Sequence, residues 1–333
     1  MYNLLKNLTA IPSITGHERK LGEYILNEIK DYVDEAYYDT MGNLIAFKKG
    51  SAKDAKKLMF AAHMDEIGMI VTHIDSKGYL RIAPIGGVNF ASIAYSTVLF
   101  ENGVCGVIIP ESKTEANDWK YDKMYIDIGA KDKKDAEKKI KIGDTAIYAP
   151  SVKRMMHRRI AGHAFDDKIG CAVMIKAIKQ AKEVVNDTYY VFTVQEEVGC
   201  RGSKTAAFAI QPDWAVAFDV TGTGDTINAS PMEVSLGNGA AIKIKDASVI
   251  CDTRVVDLLT AIAKDNGIKY QYEILMHGGT DTSSMQMTAA GALAGCVSIP
   301  TRYIHTGVEM LDLADCDACV DLTVKLLAYN LNN

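Results

Sequence analysis

The order of strand and helix patterns along the chain constrains the fold more than any other feature. At both ends of the 333-residue sequence, short apolar runs of strand length alternate with stretches whose apolar residues repeat at helical spacing. The predicted strands are NLIAF, KLMFAA, YYVFTV, WAVAF, KYQYEIL and AGCVSIP, and helices are predicted over 167–184, 203–209, 253–266, after 281 and over 311–331. This alternation predicts an α/β sheet that is covered by helices on both faces.

The middle of the chain has a different sequence pattern. Residues 70–160 contain short strand-like runs separated by glycines, among them STVLF, GVCGVII and DTAIY. Turn signals at this spacing predict a small β-barrel or sandwich. We therefore predict that segments 1–69 and 161–333 form one α/β domain and that 70–160 is a β-rich domain inserted into it.

One local pattern predicts how the second helix begins. Thr15-Gly16-His17-Glu18 has the T-x-x-E spacing of a capping box and precedes the amphipathic stretch LGEYILNEIKDYV. In a capping box the hydroxyl and the carboxylate each accept a backbone N–H at the helix start.

Composition excludes several classes of protein. The 37 basic and 42 acidic residues give a net charge of −5, which argues against a protein whose main role is to bind nucleic acid. The sequence has no apolar run typical of a membrane span, and its first residues lack the apolar core of a signal peptide. Seven scattered cysteines then predict a cytoplasmic protein with reduced thiols.

Side chains that can bind metals follow the predicted strands. In chain order they are His63 and Asp65 after KLMFAA, Glu196 and Glu197 after YYVFTVQ, Asp219 after WAVAF, and His305 shortly after AGCVSIP, with Asp166 and Asp167 at the start of a predicted helix. Ligands of open α/β sheets bind at the carboxyl ends of the strands. The sequence therefore predicts a divalent cation site at this edge of the sheet.

Each group also has a plain structural explanation. His63 could lie at a surface turn, and the adjacent glutamates could lie at the solvent-exposed end of a strand. Acidic residues also stabilise a helix N-terminus through its dipole, which would account for Asp166 and Asp167. The coincidence of five segments at one edge favours the metal site. His63 and Asp65 are two residues apart, so on a strand they point to one side and Asp65 could hold the far ring nitrogen of His63.

Six stretches resemble those of a known enzyme family. They are AAHMDEIGMIV, AGHAFDDKIGCAV, VFTVQEEVGCRGS, WAVAFDVT, HGGTDTSSMQ and SIPTRYIHTGVEM. In this order they resemble the glutamyl aminopeptidase / cellulase M family of dinuclear metallo-aminopeptidases, which includes the tetrahedral (TET) aminopeptidases. The resemblance implies dimers that form through the inserted domain, which would also serve as a lid, and six such dimers in a hollow dodecamer.

The resemblance also implies a role for each site residue. His63, Asp166 and Asp219 would bind one metal ion, and Asp166, Glu197 and His305 would bind the other. Glu196 would be the general base, Asp65 would orient His63, and the peptide bond between Asp166 and Asp167 would be cis. The expected cofactors are two divalent ions per subunit, with Zn²⁺ or Co²⁺ favoured and Mn²⁺ also compatible with histidine and carboxylate ligands.

The hypothesis that follows is a metal-dependent aminopeptidase. A hydroxide bridging the two ions would attack the N-terminal peptide bond of a substrate, and Glu196 would move the proton. Substrate-binding candidates are Gly279 and Thr280 in the glycine-hinged GGTDTSS segment, together with Arg302. The preferred N-terminal residue stays open.

Three alternatives remain at this stage. A related dinuclear deacylase or dipeptidase would share the metals and Glu196. An endoglucanase, as in the "cellulase M" label, needs carboxylates about 5–9.5 Å apart on either side of the scissile bond. Glu196 and Glu197 leave the same strand end and are poorly placed for that. The third alternative is a metal-binding shell without activity.

Overall fold

In the computed structural model of the protein, residues 1–332 are described. The helices are α1 (Tyr2–Thr9), α2 (Arg19–Ile29), α3 (Phe90–Ile93), α4 (Lys133–Ala136), α5 (Phe165–Gln180), α6 (Arg201–Ile210), α7 (Thr253–Asp265), α8 (Asp281–Gln286) and α9 (Leu313–Leu327). The strands are β1 (Glu35–Tyr38), β2 (Leu44–Lys48), β3 (Lys57–His63), β4 (Gly68–Ile74), β5 (Leu80–Ile85), β6 (Thr97–Phe100), β7 (Cys105–Pro110), β8 (Met124–Asp127), β9 (Thr145–Tyr148), β10 (Val152–Arg154), β11 (Arg159–Gly162), β12 (Asp187–Thr193), β13 (Trp214–Thr221), β14 (Ala240–Lys245), β15 (Tyr270–Ile274), β16 (Leu293–Arg302) and β17 (Glu309–Asp312). Across these residues, no helix combines the length and the apolar character needed to cross a membrane.

A large sheet forms the framework of the molecule. Its main path runs β1-β2-β12-β3-β13-β16-β17-β11-β10, with β14 beside β16 and β15 beside β14. The central strands β12, β3, β13 and β16 are parallel, so their carboxyl ends lie at one edge. The register places Thr193 beside His63 and Asp219 beside Ser298. This edge is where the predicted metal ligands emerge.

Helices cover both faces of the sheet, which confirms the predicted fold class. On one face α5 packs against β3 and β13, with α1, α2 and α9 around it, and a large apolar cluster fills the space between them. On the other face α6 and α8 pack against the same central strands over a smaller apolar cluster. Strands buried on both faces have to be apolar along their whole length, as KLMFAA and WAVAF are.

The predicted small barrel is present as a closed antiparallel barrel in the order β4-β5-β8-β7-β6-β9. It has an apolar core of its own, which includes Phe100, Ile108 and Met124. At the end of the segment assigned to the insert, β10 pairs with β11 and β11 pairs with β17, so both strands belong to the large sheet instead. The domain boundaries at 70 and 160 stay a prediction.

The predicted capping box is wrong. Helix α2 begins at Arg19 with no side-chain hydrogen bond at its N-cap. The Thr15 hydroxyl donates to Asp65 Oδ2 at 2.8 Å, and Glu18 Oε1 accepts the backbone N–H groups of Gly16 and Gln195. These side chains connect the N-terminal segment to the sheet edge, and the sequence pattern alone does not show these distant partners.

We predict that Phe60 is a central contributor to the core. Its buried ring lies 5.5 Å from that of Phe218 and 5.8 Å from that of Tyr190, measured between centroids. Phe60→Ala should lower the free energy of unfolding by about 3–5 kcal/mol, because burial is lost and a cavity remains. Urea titration at fixed protein concentration measures this. Phe208→Ala is the control, since its side chain is 65% exposed and should change stability by less than about 0.5 kcal/mol.

Candidate metal centre

His63 ends β3 with its ring buried at the sheet edge. Its Nδ1 lies 3.0 Å from the main-chain carbonyl oxygen of Asp65. A carbonyl can only accept, so Nδ1 carries a hydrogen and Nε2 is the nitrogen that could bind a metal ion. Nε2 faces the acidic side chains of the site, which is the arrangement that metal-binding histidines use.

His305 is held in the same way from the opposite side. It follows β16 in a turn, with a φ of +62°. Its Nδ1 lies 3.1 Å from the carbonyl oxygen of Gly87, a residue of the turn after β5, so Nδ1 again donates and Nε2 is the nitrogen that could bind a metal ion. A Cβ at position 87 would lie 2.8 Å from the His305 ring. Position 87 therefore requires glycine for this close approach.

Asp166 lies between the two imidazoles. Its Oδ1 is 3.1 Å from Nε2 of His63, and its Oδ2 is 3.2 Å from Nε2 of His305. The bond between Asp166 and Asp167 is cis, as the resemblance implies, and both residues have non-helical angles at the start of α5. Asp167 points into the protein, where it accepts the N–H groups of His63 and Gly170.

The two remaining predicted ligands and the predicted base, Glu196, surround this group. Glu197 Oε1 lies 3.3 Å from Nε2 of His305. Asp219, which lies inside β13 and not at its end, has Oδ1 at 4.0 Å from Nε2 of His63. Glu196 Oε2 lies 3.9 Å from the same nitrogen. The structure therefore brings all six of these side chains to one place.

The electrostatics of the site favour a bound cation. Burial raises the pKa of Asp219, and the charge of Asp166 raises it further. Burial also raises the pKa values of Glu196 and Glu197. Burial alone would lower the pKa of His305, but hydrogen bonds to Asp166 and Glu197 raise it to about 12. Four carboxylates in a buried space are costly unless positive charge compensates them.

The donor spacing also fits metal coordination. Zinc binds imidazole nitrogen and carboxylate oxygen at about 2.0–2.2 Å, so two ligands of one tetrahedral ion lie about 3.3 Å apart. The distances from Asp166 to the two histidines, and from Glu197 to His305, are 3.1–3.3 Å. One donor atom each from His63, Asp166 and Glu197 also lies within 4.8 Å of the others. Donor type and spacing are both those of a divalent cation site.

Asp65 supports the site differently from the expected way. Its Oδ1 is 3.6 Å from Nδ1 of His63, beyond hydrogen-bond length, and its main-chain carbonyl holds that ring instead. The carboxylate accepts the N–H groups of Glu196 at 2.9 Å and of Glu197 at 3.2 Å, and the hydroxyl of Thr15. Asp65 therefore fixes the loop that carries both glutamates.

The three substrate-binding candidates are held by the protein itself. Arg302 forms a two-point ion pair with Asp225, with its Nη2 at 2.6 Å from Oδ2 and its Nε at 2.9 Å from Oδ1. Thr280 caps α8 through the N–H of Thr282. A Cβ on Gly279 would lie 2.8 Å from the Ser248 hydroxyl oxygen. Their role toward substrate stays a prediction.

Two supporting residues were missed from the sequence. Buried Glu309 accepts the N–H groups of Phe165 at 2.6 Å, of Asp166 at 3.2 Å and of His305 at 2.9 Å, so one carboxylate holds two ligand segments. Gly87 was missed as well, since it lies in the β-rich insert. The pair Gly86-Gly87 was the only signal for a close approach there.

Comparisons with known sequences cover most of the chain. A sequence model described as M42 glutamyl aminopeptidase matches residues 42–322. A putative aminopeptidase of Acetivibrio thermocellus is 48% identical over 328 residues, which are 98% of this chain and 98% of the relative. The lysyl aminopeptidase of Pyrococcus furiosus is 35% identical over 339 residues, which cover 98% of this chain and 96% of the relative.

Solved structures agree with these matches. An aminopeptidase of the archaeon Desulfurococcus kamchatkensis has a TM-score of 0.94 and 36% identity, and the match covers 98% of this chain and 93% of that one. The TET1 peptidase of Pyrococcus horikoshii has a TM-score of 0.87 and 32% identity over 98% of both chains. That protein can assemble into a tetrahedron or a large octahedral shell.

We predict that Glu309 maintains the metal ligands. Glu309→Ala leaves three buried N–H groups unpaired and frees both ligand segments, so metal affinity should fall by about 10- to 100-fold. Competition with a chelator measures the affinity. Glu309→Gln is the matched control, because its amide oxygen can still accept, and it should lie closer to the wild type. An unchanged affinity in Glu309→Ala would contradict this role.

Proposed function

The chain belongs to the M42 glutamyl aminopeptidase family, and from this membership we propose how its site removes the N-terminal residue of a peptide. The protein is a metal-dependent aminopeptidase, a hydrolase of peptide bonds. The observation that carries the detailed proposal is the position of Asp166, with one carboxylate oxygen toward His63 and the other toward His305. This is the arrangement needed to bridge two cations.

We assign the ligands of the two ions accordingly. His63, Asp166 and Asp219 would hold one ion, and Asp166, Glu197 and His305 would hold the other. Three carboxylates then offset most of the charge of two divalent cations. When bound, the ions would polarise the scissile carbonyl and lower the pKa of a water molecule held between them. Histidine and carboxylate donors favour Zn²⁺ or Co²⁺.

Glu196 is the proposed general base. Its Oε2 lies toward Nε2 of His63, at 3.9 Å, beside the ligands but not among the closest contacts. Burial raises its pKa, which suits a carboxylate that accepts a proton from water and returns it to the leaving amine. Asp65 holds the backbone N–H of Glu196, so the base starts from a fixed backbone position.

The acidic side chains of the site also explain why the enzyme would act at the N-terminal end of a peptide substrate. A free α-amine is attracted to a site rich in carboxylates, whereas an internal peptide nitrogen carries no charge there. An acidic first residue would need a basic group in the pocket, and two basic groups near the site are already paired. Lys168 donates to Glu66 at 2.6 Å, and Arg302 binds Asp225. These pairs do not support a preference for acidic N-terminal residues.

We further propose that the chain assembles as dimers within a dodecamer, as the shell-forming TET1 peptidase of Pyrococcus horikoshii suggests. Light scattering on the purified protein tests the particle mass. The reducing cytoplasm is the proposed compartment, because all seven cysteines have free thiols.

We predict that substitutions of the base and of a metal ligand have different effects on metal content. Glu196→Gln should keep its metal content near the wild-type value while kcat falls by about 100-fold or more, since the amide cannot accept the proton. Asp166→Ala should lose metal, because both ions lose a ligand. Elemental analysis and peptide hydrolysis of the same preparations check both results. Loss of metal together with activity in Glu196→Gln would contradict this division of roles.

A paired assay distinguishes the peptidase from the glucanase alternative. The protein should hydrolyse amino-acid p-nitroanilides, lose this activity with a chelator and regain it with Zn²⁺ or Co²⁺. It should release no reducing sugar from carboxymethyl cellulose under the same conditions. The opposite pattern, cellulose cleavage that survives the chelator, would contradict the proposal.

A further inference from the structure

Cys200 lies against the proposed general base. The N–H groups of Gly199 and Cys200 donate to the carbonyl oxygen of Glu196 at 2.8 and 2.9 Å, so the chain turns back on itself. This turn places the Cys200 thiol 3.1 Å from Oε1 of Glu196, as a donor to that oxygen. Cys200 is then the N-cap of α6, which makes the turn part of a rigid element.

The backbone at Cys200 has a left-handed conformation. Cys200 has a φ of +51°, in the left-handed region that residues other than glycine adopt at a cost. The preceding residue, Gly199, already has a positive φ. A glycine at position 200 would relieve the backbone but would remove the thiol that reaches Glu196.

The two carboxylate oxygens of Glu196 have different surroundings. Oε1 accepts the Cys200 thiol, whereas Oε2 faces Nε2 of His63 at 3.9 Å. We propose that Cys200 is a positioning residue, whose thiol holds Oε1 so that Oε2 faces the metal centre. This inference rests on the proposed role of Glu196 as the base.

The surroundings of the Cys200 thiol keep it protonated, so that it can donate a hydrogen bond to Glu196. Burial raises the pKa of Cys200, and the charges of Asp281 and Glu196 raise it further, so the sulfur keeps its hydrogen. Asp281 is the other nearby carboxylate. Its oxygens already accept the hydroxyls of Ser203 at 2.5 Å and Thr193 at 2.6 Å. The thiol hydrogen goes to Glu196, whose Oε1 lies 3.1 Å from the sulfur.

Loss of the thiol would give the base room to move. Cys200 lines a cavity of about 580 Å³ between α6 and α8, which Phe208 and Met287 also line. Without the sulfur atom, the Glu196 carboxylate could rotate toward this space and away from His63. A thiol is a weak donor, so its hydrogen bond withdraws little proton affinity from the base.

The first test is Cys200→Ala. We expect kcat to fall by about five- to tenfold with KM within about twofold and metal content unchanged, because substrate and metal contacts remain. Cys200→Ser restores a donor and should recover kcat to within about twofold of the wild type. Cys105→Ala, at an exposed thiol on the barrel, is the control and should match the wild type. Wild-type kcat in Cys200→Ala would overturn the proposal.

The second test combines Cys200→Ala with Glu196→Gln. If the thiol acts through the base, adding Cys200→Ala to Glu196→Gln should change kcat by less than about twofold. An equal loss in both backgrounds would overturn the positioning role, while the base assignment would stand. Wild-type turnover in the Glu196→Gln single variant would instead refute the base itself, and with it this inference. The two failures are therefore distinguishable.

Discussion

The carboxylate of Asp166 between two imidazoles is the contact on which the site depends. His63 ends a strand of the sheet, whereas His305 lies in a turn more than two hundred residues later in the chain. The two rings are brought together through their contacts with Asp166. Each ring is fixed at its far nitrogen by a main-chain carbonyl, which leaves Nε2 free to face Asp166. Glu309 binds the backbone of Asp166 and of His305 at once, so the two sides of the centre share one buried carboxylate.

A second layer of buried polar groups explains why the ligand loops hold their shape. Lys168 follows the two aspartates on α5 and pairs with Glu66 after β3, which connects the helix to the strand that carries His63. Asp65 does the same for the glutamate loop through backbone N–H groups. Buried charges of this kind are costly to leave unpaired, and their pairing fixes neighbouring segments at one distance.

The sequence predicted the sheet, its covering helices and the barrel, because these follow from local apolar periodicity. It also indicated which segments meet around Asp166, since strand ends of a parallel sheet meet at one edge. It failed where a side chain binds a distant backbone group. Thr15 matched a capping box but donates to Asp65, and Glu309 looked like an ordinary strand residue although it holds two ligand segments. Such partners depend on the folded arrangement, and no local spacing encodes them.

The main-chain carbonyl of Gly87 connects the barrel to the candidate metal centre. It is the acceptor that fixes the ring of His305, and it comes from the turn after a barrel strand. The position of the barrel against the sheet therefore determines the direction in which Nε2 of His305, a proposed ligand atom, points. A displacement of the barrel against the sheet would lengthen this hydrogen bond and leave the imidazole free to turn, so the orientation of His305 depends on how the barrel is seated.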